Sequence, residues 1–153
     1  MRSIRVLVTA WAVCFSASAS GQLATGQAAV AYDPADGSVL LELGDGVIGA
    51  AVVSQLNLLD VASLDTTTDL GEPSQTGSEA IAFSATSGLP AGVFDLGSIV
   101  DPGLSLAELG NFGVSFSGFG TQGFSAVTVV PEPASAGLLL AGLSLMAVRR
   151  RRG

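Results

Sequence analysis

The chain has 153 residues, and its charges divide it into three parts, because all six basic residues are arginines near the two ends. All of the 13 acidic residues except Glu132 lie in the stretch 20–130, which has no Lys, Arg or His. This stretch therefore lacks the cations that neutralise phosphates, and we exclude nucleic-acid binding. It also lacks the usual side chains of zinc sites, of Ser-His-Asp or Cys-His nucleophile systems and of lysine Schiff bases.

Residues 1–19 have the three parts of a secretory signal peptide: two arginines, an apolar run over 6–15, and small residues. The apolar run has the length of a signal helix rather than of a membrane span. Ala17 and Ala19 occupy the −3 and −1 positions, so we expect signal peptidase to cut before Ser20 after passage through the Sec translocon. The alternative is an uncleaved N-terminal anchor. Cleavage removes the single cysteine, Cys14, so the mature chain is expected to have no disulfide.

The middle of the chain, 20–130, alternates short apolar runs with glycine-rich turns, which favours strands over helices. Leu104–Leu109 is predicted to form one or two turns of helix. The pattern predicts an all-β domain, a small antiparallel β-sandwich of immunoglobulin-like architecture. The predicted strands are Ala28–Tyr32, Ser38–Leu43, Val47–Val53, Ala80–Ser84, Val93–Leu96, Val114–Ser117 and Ser125–Val130.

Four connections between these strands carry their own predictions. Asp33–Gly37 has the composition of a turn, since Pro presets φ and Gly permits positive φ. Gly44–Gly46 predicts a hairpin between the second and third strands. The periodicity of Gln55–Leu64 leaves a bent strand and a short helical turn open. The polar segment 65–78 is predicted to be a long exposed loop.

The uncompensated carboxylates have three interpretations. The first is solubility, because like charges keep an exported domain apart from its copies. The second is a Ca²⁺ site, since Ca²⁺ takes carboxylate oxygens, although none of the aspartates has the spacing of an EF-hand loop. The third is a glycosidase with two facing carboxylates. We predict no cofactor, with Ca²⁺ as the alternative. The candidate ligands are Asp33, Asp36, Asp45, Asp65 and Asp69.

Phenylalanine and glycine alternate along 112–124. Core packing is the usual role of such aromatics, and we expect one or two of these rings to be exposed. A row of exposed rings on one sheet face would favour a carbohydrate-binding module, and an exposed apolar patch would favour a protein-binding one.

The C-terminal segment, 131–153, has three parts as well. Pro131, Glu132 and Pro133 precede the uncharged apolar segment 134–148, which we predict to be a helix. At about 1.5 Å per residue this helix is about 22 Å long, short of the roughly 30 Å hydrocarbon core, and suits a temporary hold in the membrane. The arginines that follow stop transfer across the bilayer. They are Arg149, Arg150, Arg151 and Arg152.

The Pro-Glu-Pro box, the apolar helix and the terminal arginines resemble the PEP-CTERM sorting signal. That resemblance implies processing by exosortase, a membrane-embedded cysteine protease-transpeptidase of Gram-negative bacteria. It also implies that the mature domain acts at the cell surface or in the extracellular matrix, in association with extracellular polysaccharide or biofilm. The alternative is a plain C-terminal membrane anchor without processing.

Two segments of the middle carry weaker resemblances. Ala31–Val39 looks like the start of cohesin-like sandwich domains of exported bacterial proteins, and Gly88–Gly92 is similar to a run found in PEP-CTERM proteins.

Taken together, the segments of the chain predict a non-enzymatic exported protein held in the inner membrane before processing. The alternatives are a carbohydrate- or protein-binding module and, least favoured, a carboxylate-pair glycoside hydrolase.

Overall fold

A computed structural model of the protein describes residues 23–130. The predicted signal peptide, 1–19, and the whole predicted sorting segment, 131–153, lie outside these residues. Within 23–130, no helix has the length and hydropathy needed to cross a membrane. The strands of this part are β1 (Ala28–Tyr32), β2 (Val39–Leu43), β3 (Val47–Ser54), β4 (Gln75–Thr76), β5 (Ala80–Ser84), β6 (Gly92–Asp95), β7 (Phe112–Gly118), β8 (Thr121–Ala126) and β9 (Thr128–Val129). The helical elements are a 3-10 turn (Val61–Ser63) and α1 (Leu106–Leu109).

The strands form two sheets, and the all-β prediction is confirmed. One sheet has the order β6-β2-β1-β9 and the other β4-β5-β3-β7-β8. All neighbours are antiparallel except β1 and β9, which are parallel. The predicted antiparallel arrangement thus holds for every neighbouring pair except this one. The reason is that the chain changes sheets at Val127, whose N–H still donates to Phe112 O at 3.1 Å, and then runs beside β1 in the same direction.

Period-two alternation builds the core between the sheets. In β1 and β2 every second residue is buried, and β5 buries Ile81 and Phe83 in the same way. Alternate residues of a strand point to opposite faces, so each sheet has one apolar inner face. The inner faces of both sheets contribute to one continuous cluster, in which Leu41, Val52 and Ile81 are fully buried.

Gly44–Gly46 does not form the predicted hairpin. It connects β2 to β3, and these strands belong to different sheets. The segment before β1 occupies the corner: the Gly26 N–H donates to Asp45 O at 2.6 Å, and the Gly44 N–H donates to Gln27 O at 2.9 Å. A tight glycine turn permits a sharp reversal in either setting, so its composition alone does not decide whether the chain stays in one sheet.

Other segments differ from the predictions in detail. Gln55–Leu64 takes the helical alternative only at the 3-10 turn, and the exposed loop 65–78 contains the short strand β4 and the buried Leu70. The predicted strand Ser125–Val130 is divided at Val127 into β8 and β9. β8 also begins four residues earlier, at Thr121, because Gly118 and Thr121 pair across the turn that follows β7.

Candidate functional site

The C-terminal end of the fold lies directly before the Pro-Glu-Pro box. In β9, Thr128 pairs with Ala31 and Val129 with Tyr32. The Val130 N–H then donates to Tyr32 O at 2.9 Å. The backbone is therefore held by the sheet up to the residue that precedes Pro131. We call this short segment, 128–130, the exit strand.

Tyr32 anchors the neighbouring strand from inside the domain. Its side chain is fully buried, and its hydroxyl donates to Asp101 O at 2.7 Å and accepts from the Leu104 N–H at 3.1 Å. Two bonds satisfy the hydroxyl, so the ring can be buried without leaving a polar atom unpaired. Sequence reasoning placed Tyr32 in a strand and missed this role, because its partners lie 69 and 72 positions away.

The β1–β2 turn packs against the same loop that Tyr32 holds. Gly37 has φ +80°, and a Cβ atom there would overlap the carbonyl oxygen of Val100. The Val100 N–H donates to Gly37 O at 3.3 Å, and the Gly103 N–H donates to Pro34 O at 2.8 Å. The predicted turn is thus present, and its glycine is required both by positive φ and by the close approach of the loop 100–103.

Many of the carboxylates are used to fix turns. In each case one carboxylate oxygen accepts a bond of 2.8–3.0 Å from the backbone N–H two residues further on. Such Asx turns hold the chain after a strand or before a helical turn. The residues that do this are Asp33, Asp36, Asp60, Asp65 and Asp95.

The five predicted Ca²⁺ ligands are not brought together as a metal centre. Asp33 and Asp36 form successive Asx turns of the connection between β1 and β2, and Asp65 forms another Asx turn elsewhere. Asp45 and Asp69 are exposed in other connections. Across residues 23–130, no three His, Cys, Asp or Glu side chains are placed to hold a metal ion.

Hydrogen bonds to three carboxylates change their titration. The Ser38 backbone N–H, followed by its hydroxyl, lowers the pKa of Asp36. The Thr67 hydroxyl and backbone N–H lower the pKa of Asp65. The Ser105 backbone N–H and hydroxyl, at 2.8 and 2.7 Å, lower the pKa of Glu108. Each bond favours the ionised form, so these groups stabilise the fold as carboxylates.

The phenylalanines of 112–124 divide between the core and the surface, and the prediction of one or two exposed rings is confirmed. Phe112 is buried, whereas Phe119 and Phe124 are 73% and 54% exposed. Phe116 packs across Gly123 on the neighbouring strand, where a Cβ atom would lie 2.6 Å from its ring. The Phe124 ring covers Gly113 in the same manner on the other face of the sheet. The glycines therefore make room for aromatic rings of the adjacent strand.

Two shallow depressions lie on the five-stranded sheet. One, of about 630 Å³, crosses its outer face and is lined mainly by Gly, Ala and Ser. The other, of about 660 Å³, has Phe124 at its wall together with Gln55, Glu79 and Asn111. The Asn111 side-chain N–H donates to Gln55 Oε1 at 2.8 Å, which fixes the two amides side by side. Sequence reasoning missed this pair, because 56 positions separate its members.

The comparisons with known proteins bear on the C-terminal segment. Residues 129–152 match the family model of the PEP-CTERM protein-sorting motif. The matched region begins inside β9 and continues through the Pro-Glu-Pro box, the apolar segment and the arginines, so the sorting signal predicted from the sequence is confirmed. No curated protein and no solved structure matches the chain.

The molecule therefore combines an all-β domain with a C-terminal sorting signal. The signal makes this chain a target of exosortase, exported and processed at a membrane.

Proposed function

We propose that the chain is a non-enzymatic protein of the cell surface or extracellular matrix of a Gram-negative bacterium, delivered there by an exosortase-type enzyme. The observation that carries this proposal is the sorting motif over 129–152, which directly follows the last strand of the folded domain. The association with extracellular polysaccharide or biofilm rests on the sorting route, and the cohesin-like assignment rests on the two sheets around one core and on the turn after Tyr32.

The proposed route has three steps: cleavage of the signal peptide, retention in the membrane, and recognition of the Pro-Glu-Pro box. Signal peptidase cuts between Ala19 and Ser20 after the Sec translocon has passed the domain across the membrane. The apolar segment 134–148 then stays in the bilayer, because each of the arginines at 149–152 resists crossing at a cost of about 2.5–3.5 kcal/mol on insertion scales. Pro131 and Pro133 fix φ and remove two backbone N–H donors, which gives a protease a stiff, non-helical site.

The distribution of carboxylates argues against the glycosidase alternative. A glycosidase needs two carboxylates that face each other across a cleft. The depression on the outer sheet face has no carboxylate in its lining, and the depression beside Phe124 has Glu79 alone. Asp33, Asp36 and Asp65 bind backbone N–H groups of their own turns, which is a structural use of the charge.

The test is fractionation and intact mass of three versions of the full chain in the native host. Pro131, Glu132 and Pro133 changed together to Ala should give an uncut precursor in the membrane. The four terminal arginines changed to Ser should give an exported protein that retains its tail, because the barrier to translocation is lost. If wild type and the Ala variant yield the same products, the segment is a plain anchor and the sorting proposal is wrong.

A second candidate function is carbohydrate binding at the depression beside Phe124. What favours it is a half-exposed aromatic ring next to two fixed amides and Glu79, since rings stack on apolar faces while amides and carboxylates bond hydroxyl groups. The ring stands alone on its sheet face rather than in a row. Phe124→Ala should weaken binding of host extracellular polysaccharide about tenfold, whereas Phe119→Ala, at an exposed turn, should not. Equal binding by both variants and wild type would exclude this candidate.

A further inference from the structure

The exit strand limits how far a processing enzyme can reach. Its last described hydrogen bond, from the Val130 N–H to Tyr32 O, is made by the residue immediately before the Pro-Glu-Pro box. Between this bond and the apolar segment lie only residues 131–133. Fully extended, three residues span at most about 11 Å. A domain folded to its end thus lies within that distance of the segment proposed to enter the membrane.

This spacing conflicts with what proteases require of a substrate. They bind extended segments through backbone hydrogen bonds and side-chain pockets on alternate residues. The residues on the N-terminal side of the box already use their backbone in the sheet, since Val129 pairs with Tyr32 and Thr128 with Ala31. Release of 128–130 would free a segment of six residues, 128–133, with a reach of about 20 Å.

The exit strand is also the element of its sheet that is easiest to release. It pairs over two residues at the sheet edge, whereas β1 pairs with β2 over five. Thr128 is exposed, and Val129, which packs against the core, is only half-buried, so the strand has no fully buried side chain to hold it in place. The preceding Val127 keeps its own bond to Phe112 O, which stops the opening from spreading into β8. Segments with few buried contacts open locally without global unfolding.

From this geometry we propose that the exit strand is a latch: 128–130 must leave β1 before the sorting box is cut, and this opening sets the rate of processing. The proposal rests on the proposed processing at the Pro-Glu-Pro box and adds a positioning role for Thr128, Val129 and Val130. Tyr32 stays in the core when the latch opens, because its side chain is held by Asp101 and Leu104 rather than by the exit strand.

A disulfide across the latch tests the proposal in the full chain. Ala31 and Thr128 are direct partners in neighbouring strands. Neighbouring strands lie about 4.8 Å apart, which is within the range of Cα–Cα distances that a disulfide bridges. Neither position belongs to the matched motif. The control bridge joins Ala29 to Glu42, which are partners in β1 and β2, so it crosses the same sheet without touching the exit strand. Residues after Cys14 include no other cysteine that could compete.

Processing is followed by pulse labelling in the native host. Ala31→Cys/Thr128→Cys should lengthen the processing half-time at least about tenfold, and an added thiol reductant should restore it. Ala29→Cys/Glu42→Cys should be processed at the wild-type rate. Recovery with reductant shows that the bridged chain is folded and exported. Equal rates for both bridged variants, with the bridges verified by mass, would overturn the latch.

A rescue variant separates access from recognition. A flexible insertion of Gly-Ser-Gly-Ser-Val-Val after Val130 supplies slack and keeps two valines before the box. In the bridged Ala31→Cys/Thr128→Cys chain, this insertion should return processing to within about twofold of wild type. Slow processing despite the insertion would contradict the latch. If the unbridged wild type is not processed at the box at all, the proposed function fails instead, so the two failures are distinguishable.

Discussion

β1 and β9 are neighbours in one sheet and run in the same direction, yet they are held very differently. β1 pairs along its five residues with β2 and buries Ala28, Val30 and Tyr32. β9 pairs over two residues at the edge, with Thr128 exposed. The comparison separates two tasks within one sheet: the interior strand carries stability, and the edge strand joins the domain to a segment that an enzyme must reach.

The largest expected effect is at Tyr32, on the side of β1. Tyr32→Ala should lower the free energy of unfolding by about 3–5 kcal/mol, because it empties a fully buried aromatic site. Tyr32→Phe should cost less, about 1–3 kcal/mol, since it leaves Asp101 O and the Leu104 N–H without their partner. Urea unfolding of the mature domain, 20–130, measures both. A neutral Tyr32→Phe would show that these two groups are satisfied by water instead.

The next effect concerns the turn that follows β1. Gly37→Ala should destabilise by about 2–4 kcal/mol, because positive φ is strained for Ala and the new Cβ meets the Val100 carbonyl. Gly103→Ala is the matched control: its φ is +81°, but no atom lies within 4 Å of the Cβ position, so only the strain of about 1 kcal/mol remains. Thermal and urea unfolding compare the two. Equal losses would mean that the loop moves aside without cost.

The exit strand should contribute less than either site. A domain that ends at Val127 should be less stable than one that ends at Val130 by about 1–2 kcal/mol, the contribution of a few exposed hydrogen bonds and of the half-buried Val129. Urea midpoints of the two forms measure the difference. A loss as large as that of Tyr32→Ala would make β9 an integral strand and contradict the contrast with β1.

The smallest effect is the acid dependence. The pKa of Glu108 is lowered by its bonds to Ser105, so its stabilising contribution is complete above the unfolded pKa, about 4.3, and is lost as the pH falls through the lower folded pKa. Glu108→Gln should therefore reduce the fall in melting temperature between pH 7 and pH 3. Glu72→Gln, at an exposed glutamate without a side-chain hydrogen bond in 23–130, is the control. The same fall in all three proteins would refute the role of the Ser105 bonds.

Features that depend on neighbouring residues could be predicted from the sequence, whereas features that depend on distant residues could not. The strands Ala28–Tyr32 and Ala80–Ser84 were predicted with their observed bounds, because alternation of apolar residues is written locally in the chain. The sorting signal was predictable for the same reason, since it occupies one continuous stretch of the chain, 129–152. The failure at Gly44–Gly46 is of another kind. Its turn chemistry is local, but the choice of sheet depends on Gly26 and Gln27, which fill the corner.

The sequence by itself determined the periodicity of the strands, the acidic character of 20–130 and the sorting signal, since each is a property of neighbouring residues. Only the tertiary structure decided which strands pair, that β9 lies parallel to β1, and that Tyr32 holds Asp101 and Leu104. It also decided that Gln55 and Asn111 meet beside Phe124. These contacts join positions far apart in the chain, and their energies come from packing and register, which no local window of sequence contains.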